Sequence, residues 1–289
     1  MKNSLSSTGI TFLIHNHKCG GNSIEKALIE TGIKYIKTDT ISIDEDSPIY
    51  RRIMDERSPE PMLIFGHPDR IRQSENSEKN AEFFRHLYWT SRVICPSRRP
   101  ISLTISWLEY VRVRLINFTM GREEKYNQNP DSVAKYRFLW EQYSGYQLEA
   151  AVANDFEHPY SSPAENVARW LRIVTDHTIY HFIQSYNLFF PINGEILAAA
   201  KNNVRRRLPL DRLIESGQFF IYDSQRYSKV AVQTLATEIS PKFVDFLTLE
   251  RLNISENSLG SLSEIELGNL QAEQDKVSDL DSQIYARAV

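Results

Sequence analysis

Lysine beside paired glycines, with a serine close behind, is a combination suited to holding an anion. Lys18-Cys19-Gly20-Gly21-Asn22-Ser23 follows the apolar run Thr11-Phe12-Leu13-Ile14 and precedes Ile24, Ala27 and Leu28, which share one helical face. Adjacent glycines let a backbone turn with its amides inward. The amides of Asn22, Ser23 and Ile24 are expected to open a helix whose positive end favours negative charge, and Lys18 adds a full cation. A second basic turn comes later: Arg92-Val93-Ile94-Cys95-Pro96-Ser97 reads as a strand, Arg98-Arg99 as the turn, and Pro100 as the first residue of a helix. Arg98 offers a planar fork, and Ser106, eight residues on, stands two turns into that helix, so both are expected to reach one phosphate. A third candidate is His67, which follows the apolar run Met62-Leu63-Ile64-Phe65-Gly66. Histidine titrates near neutrality and suits a general base; a strand-end histidine bonding a carbonyl fits the same residues.

These motifs carry a family resemblance. The chain resembles the sulfotransferases that use 3′-phosphoadenosine 5′-phosphosulfate (PAPS), in the branch that sulfates carbohydrates and similar hydroxyl acceptors. That family's first loop commonly reads Pro-Lys-Thr-Gly-Gly-Thr-Ser and binds the 5′-phosphosulfate; this chain has His17-Lys18-Cys19-Gly20-Gly21-Asn22-Ser23. Its second loop reads Arg-Asp-Pro, with a serine eight residues after the arginine, and binds the 3′-phosphate; Arg98, Pro100 and Ser106 match, while Arg99 replaces the acidic residue. A Gly-His pair often lines the family's active site, as Gly66-His67 would here. The resemblance implies a P-loop-like three-layer α/β fold with a central, mostly parallel sheet flanked by helices. It implies PAPS as sulfuryl donor, Lys18 and His67 as catalytic residues, and a hydroxyl-bearing acceptor, carbohydrate or other small molecule. Lys18, Cys19, Gly20, Gly21, Asn22, Ser23, Arg98 and Ser106 would hold the donor. Near the end of the chain, Phe220 to Leu235 resembles the family's Val-Gly-x-x-Glu-Arg region with Gln225 in the glutamate position, and Arg251-Leu252-Asn253-Ile254-Ser255 followed by 262–285 resembles its closing pattern.

The elements that must position these residues fit one α/β domain of 289 residues, with 115–160 as an acceptor-side insertion. Hydrophobic content of 41% with 25% charged residues is that of a globular chain, which argues against disorder. A net charge of −3 argues against a general nucleic-acid binder, so any anion site must be local. Met1 to Gly9 is polar and His15 interrupts the apolar run before it could form a secretory leader. No run is long enough to span a bilayer, whereas many family relatives carry an N-terminal anchor, so a cytoplasmic enzyme or an excised domain is expected. The two cysteines, Cys19 and Cys95, are expected to stay reduced there, with Cys19 filling the loop's threonine position. His15 and His17 would need further ligands to hold zinc; His86, His158, His177 and His181 show no metal-ligand spacing beyond the four-residue step from 177 to 181, which falls in an expected strand, and no metal is expected. His17, beside Lys18, competes with His67 for the role of base.

Further strands are expected at 177–183 and 218–223, with a helix over 198–208 carrying the basic run Arg205-Arg206-Arg207. Tyr126, Tyr136, Phe138, Trp140, Tyr143 and Tyr146 suit either an amphipathic acceptor or a core. Ser263 and Glu266 form a capping box, and Val277, Leu280 and Ile284 form a docking face for a closing helix. Two other readings share the strand-loop-helix logic: a Mg²⁺-dependent P-loop phosphotransferase, and a nucleotide-binding module without catalysis. The lysine precedes the glycines, contrary to the usual P-loop order.

Overall fold

The computed structural model describes residues 9–16, 18–55, 61–121, 130–175, 218–249, 262–277 and 280–289, with the side chains of 130–132, Thr175 and Val277 outside this set. The expected elements at 177–183 and 198–208, together with His17, Tyr126 and the Leu252-Asn253-Ile254-Ser255 pattern, lie outside the described residues. The chain divides into two compact units: 1–99 with 182–253 and 278–289, and 100–181 with 254–277.

The first unit is built on five strands: β1 (Ile10–Ile14), β2 (Ile36–Lys37), β3 (Met62–Gly66), β4 (Arg92–Ser97) and β5 (Phe219–Asp223). They lie in the order β2-β3-β1-β4-β5 with every pairing parallel, Thr11 opposite Leu63 and Arg92, and Val93 opposite Phe219. Both faces are covered, which is why these strands read as near-continuous apolar runs. On one face Ile10, Phe12 and Ile14 pack with Ile53 of α2 (Pro48–Met54), Phe83, Phe84, Leu87 and Tyr88 of α3 (Ser77–Thr90), and Leu280 and Ile284 near the end of the chain. On the other, Leu13, Phe65, Ile94 and Tyr222 meet Ile24, Ala27 and Leu28 of α1 (Gly21–Glu30), and helices at Lys229–Glu238 and Pro241–Leu249. Each fully buried side chain of this size contributes roughly 1.5–3 kcal/mol, so central β1, buried on both faces, is the strand the unit can least lose.

This topology sets where a ligand could sit. β1 and β3 are neighbours, yet the chain leaves β1 for the face of α1 and leaves β3 for the face of α3. Connections that diverge to opposite faces open a crevice at the carboxyl ends of the strands between them. The right-handed rule for parallel crossovers requires it, because the β1-to-β2 and β3-to-β4 connections run in opposite directions along the sheet.

The second unit is helical: α4 (Pro100–Thr119), α5 (Pro130–Ser144), α6 (Leu148–Ala153) and α7 (Pro163–Thr175), followed after the first unit's α8 (Lys229–Glu238) and α9 (Pro241–Leu249) by α10 (Glu264–Val277). α4 extends to Thr119, and Leu115 in its last turns is still buried and continues its apolar stripe. Trp140, Tyr143 and Trp170 are fully buried, so Trp140 and Tyr143 are core residues; Phe138 and Tyr146 are exposed. Ser263 and Glu266 form the expected reciprocal cap, Glu266 N donating to Ser263 Oγ at 3.3 Å and Ser263 N to Glu266 Oε2 at 2.8 Å. The expected single closing helix is two, α10 in the second unit and α11 (Leu280–Tyr285) in the first, and Leu280 and Ile284 dock α11 on the sheet.

Candidate anion site at the carboxyl end of the parallel sheet

The chain leaving β1 is pinned on both sides. His15 N donates to Gly66 O at 2.9 Å, one step beyond the β1–β3 ladder. Asn16, fully buried, donates through Nδ2 to Pro96 O at 2.7 Å and to Cys95 Sγ at 3.1 Å, tying the β1 exit to β4. Cys19 N then closes a turn onto Asn16 O at 3.2 Å. Lys18 sits at φ 60 and Gly20 at φ 82, both left-handed, a conformation glycine adopts without strain and lysine does not.

That turn delivers the chain into α1 with no side-chain cap. Gly20 is the N-cap residue and makes no side-chain hydrogen bond. By contrast, Asn76 caps α3 through the amides of Glu78 and Lys79, at 2.9 and 3.2 Å, and Ser228 caps α8 through Ala231 N at 3.0 Å. The first bond of α1 is Ile24 N to Gly20 O at 3.0 Å, so the expected opening amide at Ile24 is consumed within the helix and the amides ahead of it are those of Gly21, Asn22 and Ser23. Asn22 is exposed and Ser23 is 7% exposed.

The two glycines have different reasons to be glycine. Gly20 has open space around an added Cβ and is required by its φ. Gly21 has ordinary helical geometry, but a Cβ there would lie 1.7 Å from His15 Nε2. The imidazole of His15 therefore rests directly against the first turn of α1. The same ring stacks on His67, ring centroids 4.1 Å apart and planes 22° from parallel, and on Phe65 at 5.5 Å. His67 follows Gly66, whose φ of 143 and close approach to Thr38 Oγ1 exclude a side chain there. His67 and the first turn of α1 are thus joined through His15, an arrangement that strand alternation alone did not reveal.

The second basic turn ties into the same loop. Arg98 donates from Nη1 to Lys18 O at 3.2 Å. With the Gln225 amide oriented to satisfy both groups, its oxygen accepts from Arg98 Nε and Nη2 at 3.3 Å each. Gln225 N is held by Asp223 Oδ1 at 2.8 Å, and Tyr285 OH donates to Asp223 Oδ2 at 2.8 Å, so the guanidinium is placed from β5 and α11 as well as from β4. Burial lowers the Arg98 pKa, while the nearby Cys19 and Asp223 act in the opposite direction. The Cys19 thiol is buried beneath the loop, and burial raises its pKa well above that of a free thiol, so what Cys19 turns outward is backbone. Both cysteines are unbridged.

Ser106 lies half-buried on α4, in the second unit, whereas Lys18, Gly20, Gly21, Asn22, Ser23, His67 and Arg98 belong to the first. The amide of Ile101, the first α4 residue able to donate, is taken by Gln271 Oε1 at 2.9 Å. The second loop's cation is therefore the Arg98 side chain, and that leading amide is already spent. Compared with protein-family models, with curated proteins and with solved structures, the chain matches none. Among the described residues no helix is long and apolar enough to cross a membrane, and no three His, Cys, Asp or Glu side chains cluster as metal ligands.

Sequence reasoning passed over Asn16 and Gln225 as partners in this site. Gln225 was visible only as a departure from the family's glutamate, and the contact it makes depends on β4 and β5 pairing, which residue types alone do not specify.

Proposed function

We infer that the chain is a PAPS-dependent sulfotransferase acting on an acceptor hydroxyl. The observation that carries this reading is the convergence, at one sheet edge, of an α1 N-terminus without a side-chain cap and the Arg98 guanidinium bonded to the loop that leads into it. An anion at that helix end would meet the Gly21, Asn22 and Ser23 amides, which suits phosphate chemistry. The residues present fit a nucleotide bearing two separated anionic groups, with Lys18 to Ser23 for the 5′ group and Arg98 for the 3′-phosphate. A P-loop-like fold is part of the same reading: the β2-β3-β1-β4-β5 order with a loop and helix after central β1 is compatible with it.

The donor, when bound, supplies the sulfuryl group. Lys18 and the amides that open α1 would stabilise negative charge as it grows on the leaving phosphate, a preorganised effect that in other sites reaches about 3 kcal/mol per donor. His67 would accept the proton of the acceptor hydroxyl, and His15, stacked on its ring, would hold that ring in place. Acceptors of this kind include carbohydrates and other small alcohols.

Calorimetry with 3′-phosphoadenosine 5′-phosphate and with AMP tests the reading. Tighter binding of the bisphosphate, unchanged by a chelator, is expected, because Lys18 and backbone amides supply the neutralising groups. Equal affinity for the two nucleotides, or binding that requires Mg²⁺, would overturn it in favour of a phosphotransferase.

A further inference from the structure

The second unit contains a group of buried polar side chains that the proposed transfer does not use. Glu109 on α4 is 3% exposed; its Oε2 accepts from Arg112 Nε at 3.0 Å and its Oε1 lies 2.7 Å from His158 Nε2. The other ring nitrogen of His158 is 2.9 Å from Tyr143 OH, which donates to Asn166 Oδ1 at 2.6 Å. Asn166 is fixed in turn, Nδ2 donating to Tyr160 O at 2.6 Å and to Ser162 O at 3.1 Å. Burial and the nearby Glu109 raise the pKa of Tyr143, keeping its hydroxyl a donor. The loop between α6 and α7 is thereby fastened to α4 and α5, and Asp155 and Phe156 in it are both left-handed, φ 50 and 54, which side chains disfavour.

This fastened loop walls a cavity of about 390 Å³, lined in part by Arg112, Phe156, His158, Tyr160, Ser161 and Pro163. The volume is within the range of small-ligand sites. Arg112 is the cation at its wall. Its Nε is spent on Glu109, but Nη1 and Nη2 make no hydrogen bond to a described residue, which leaves the two-pronged end of the guanidinium for a planar oxyanion. Charge selects among oxyanions: Asp155 and Glu157 also line the cavity and Glu109 lies behind Arg112, so a dianion would be repelled more than a singly charged group. Tyr160, whose ring is partly exposed, and Pro163 offer apolar wall, while the Phe156 side chain is buried against Trp140.

We propose that this cavity binds a small carboxylate with an apolar body, held end-on by the Arg112 guanidinium with its body against Tyr160 and Pro163. Glu109 holds Arg112 in place, and the His158–Tyr143–Asn166 chain holds the loop that walls the cavity. The site lies wholly within the second unit and does not depend on sulfuryl transfer.

Sodium benzoate and benzamide, alike in shape and different in charge, test this by calorimetric titration of the full chain. Saturable benzoate binding is expected, at least about tenfold tighter than that of benzamide. Arg112→Lys keeps a cation beside Glu109 and loses the fork, and should bind benzoate about tenfold more weakly with a thermal midpoint near the wild type's. In the wild-type chain the ring resonances of His158 should move with benzoate while those of His86 stay. Absence of saturable benzoate binding, equal affinity for benzamide, an unmoved His158, or a folded Arg112→Lys chain that binds as tightly as wild type would each overturn the proposal.

Discussion

The crevice in the first unit and the cavity in the second are made from different materials. Around α1 the arrangement is one of backbone: left-handed Lys18 and Gly20, a helix end without a side-chain cap, and a glycine whose missing Cβ is replaced by a neighbouring ring. In the second unit it is one of side chains, Glu109, His158, Tyr143 and Asn166 satisfying one another in the core. A site of backbone fails when something is added, and a site of buried side chains fails when something is removed. The two helices that follow the basic loops show the same contrast in small: α1 begins on a bare glycine, while the first amide of α4 is already taken by Gln271.

Removal should have its largest effect in the second unit. Tyr143→Phe deletes the hydroxyl that links His158 to Asn166, and although Asn166 Oδ1 keeps its bond from Tyr160 N, the two lost hydrogen bonds should lower unfolding free energy by about 1–3 kcal/mol, measured by denaturant titration, with bisphosphate affinity unchanged. A neutral result would break the contrast. Addition should act in the first unit. Gly21→Ala drives a methyl into His15 and should cost about 1–3 kcal/mol together with nucleotide affinity, whereas His15→Ala with Gly21→Ala makes room and should recover most of the stability. If the double variant is no more stable than Gly21→Ala alone, His15 is not what Gly21 accommodates. Gly20→Ala, strained by φ alone, should cost roughly 1 kcal/mol.

The smallest effect is a titration beneath the crevice. Burial raises the Cys19 thiol well above its free value and pushes Cys95 up to about 12. Neutral thiols are thus favoured by folding, a contribution fully present below about pH 8.5, where free thiols titrate, and lost as pH rises from there toward the folded values. The thermal midpoint should fall above about pH 9, and less steeply in a Cys19→Ala, Cys95→Ala chain. The same slope in both chains would locate the alkaline loss elsewhere, with buried Tyr88 and Tyr222 the next groups to examine.

The difference in material also explains what could be read from the sequence. The strands β1, β3, β4 and β5 and helix α1 were legible because their signals are local: apolar runs of strand length, a Gly-Gly turn, a helical stripe ending at Thr31-Gly32. The Lys18 to Ser23 loop was legible for the same reason, since it is one continuous segment, whereas the crevice beside it depends on the order of the strands. Glu109 and His158 meet across two helices and a loop, and neither has a neighbour in sequence that announces the other. The stacking of His15 on His67 likewise depends on β1 and β3 lying side by side, and the division of the closing segment into α10 and α11 depends on which unit each half packs against. Tertiary pairing supplies this information, and residue types in one chain do not encode it in any local pattern.

Nucleotide selectivity with and without Arg98 tests the central claim most directly. Arg98 bonds the Lys18 carbonyl as well as facing the proposed phosphate, so Arg98→Ala is expected to weaken AMP somewhat through the loop. The informative quantity is therefore the ratio of the two affinities. Calorimetry on the wild-type chain should give a preference for 3′-phosphoadenosine 5′-phosphate over AMP of about ten- to a hundredfold, the worth of a charge-assisted contact, and in Arg98→Ala that ratio should fall close to one. A wild-type ratio of one, or a preference that survives the loss of Arg98, would contradict the account.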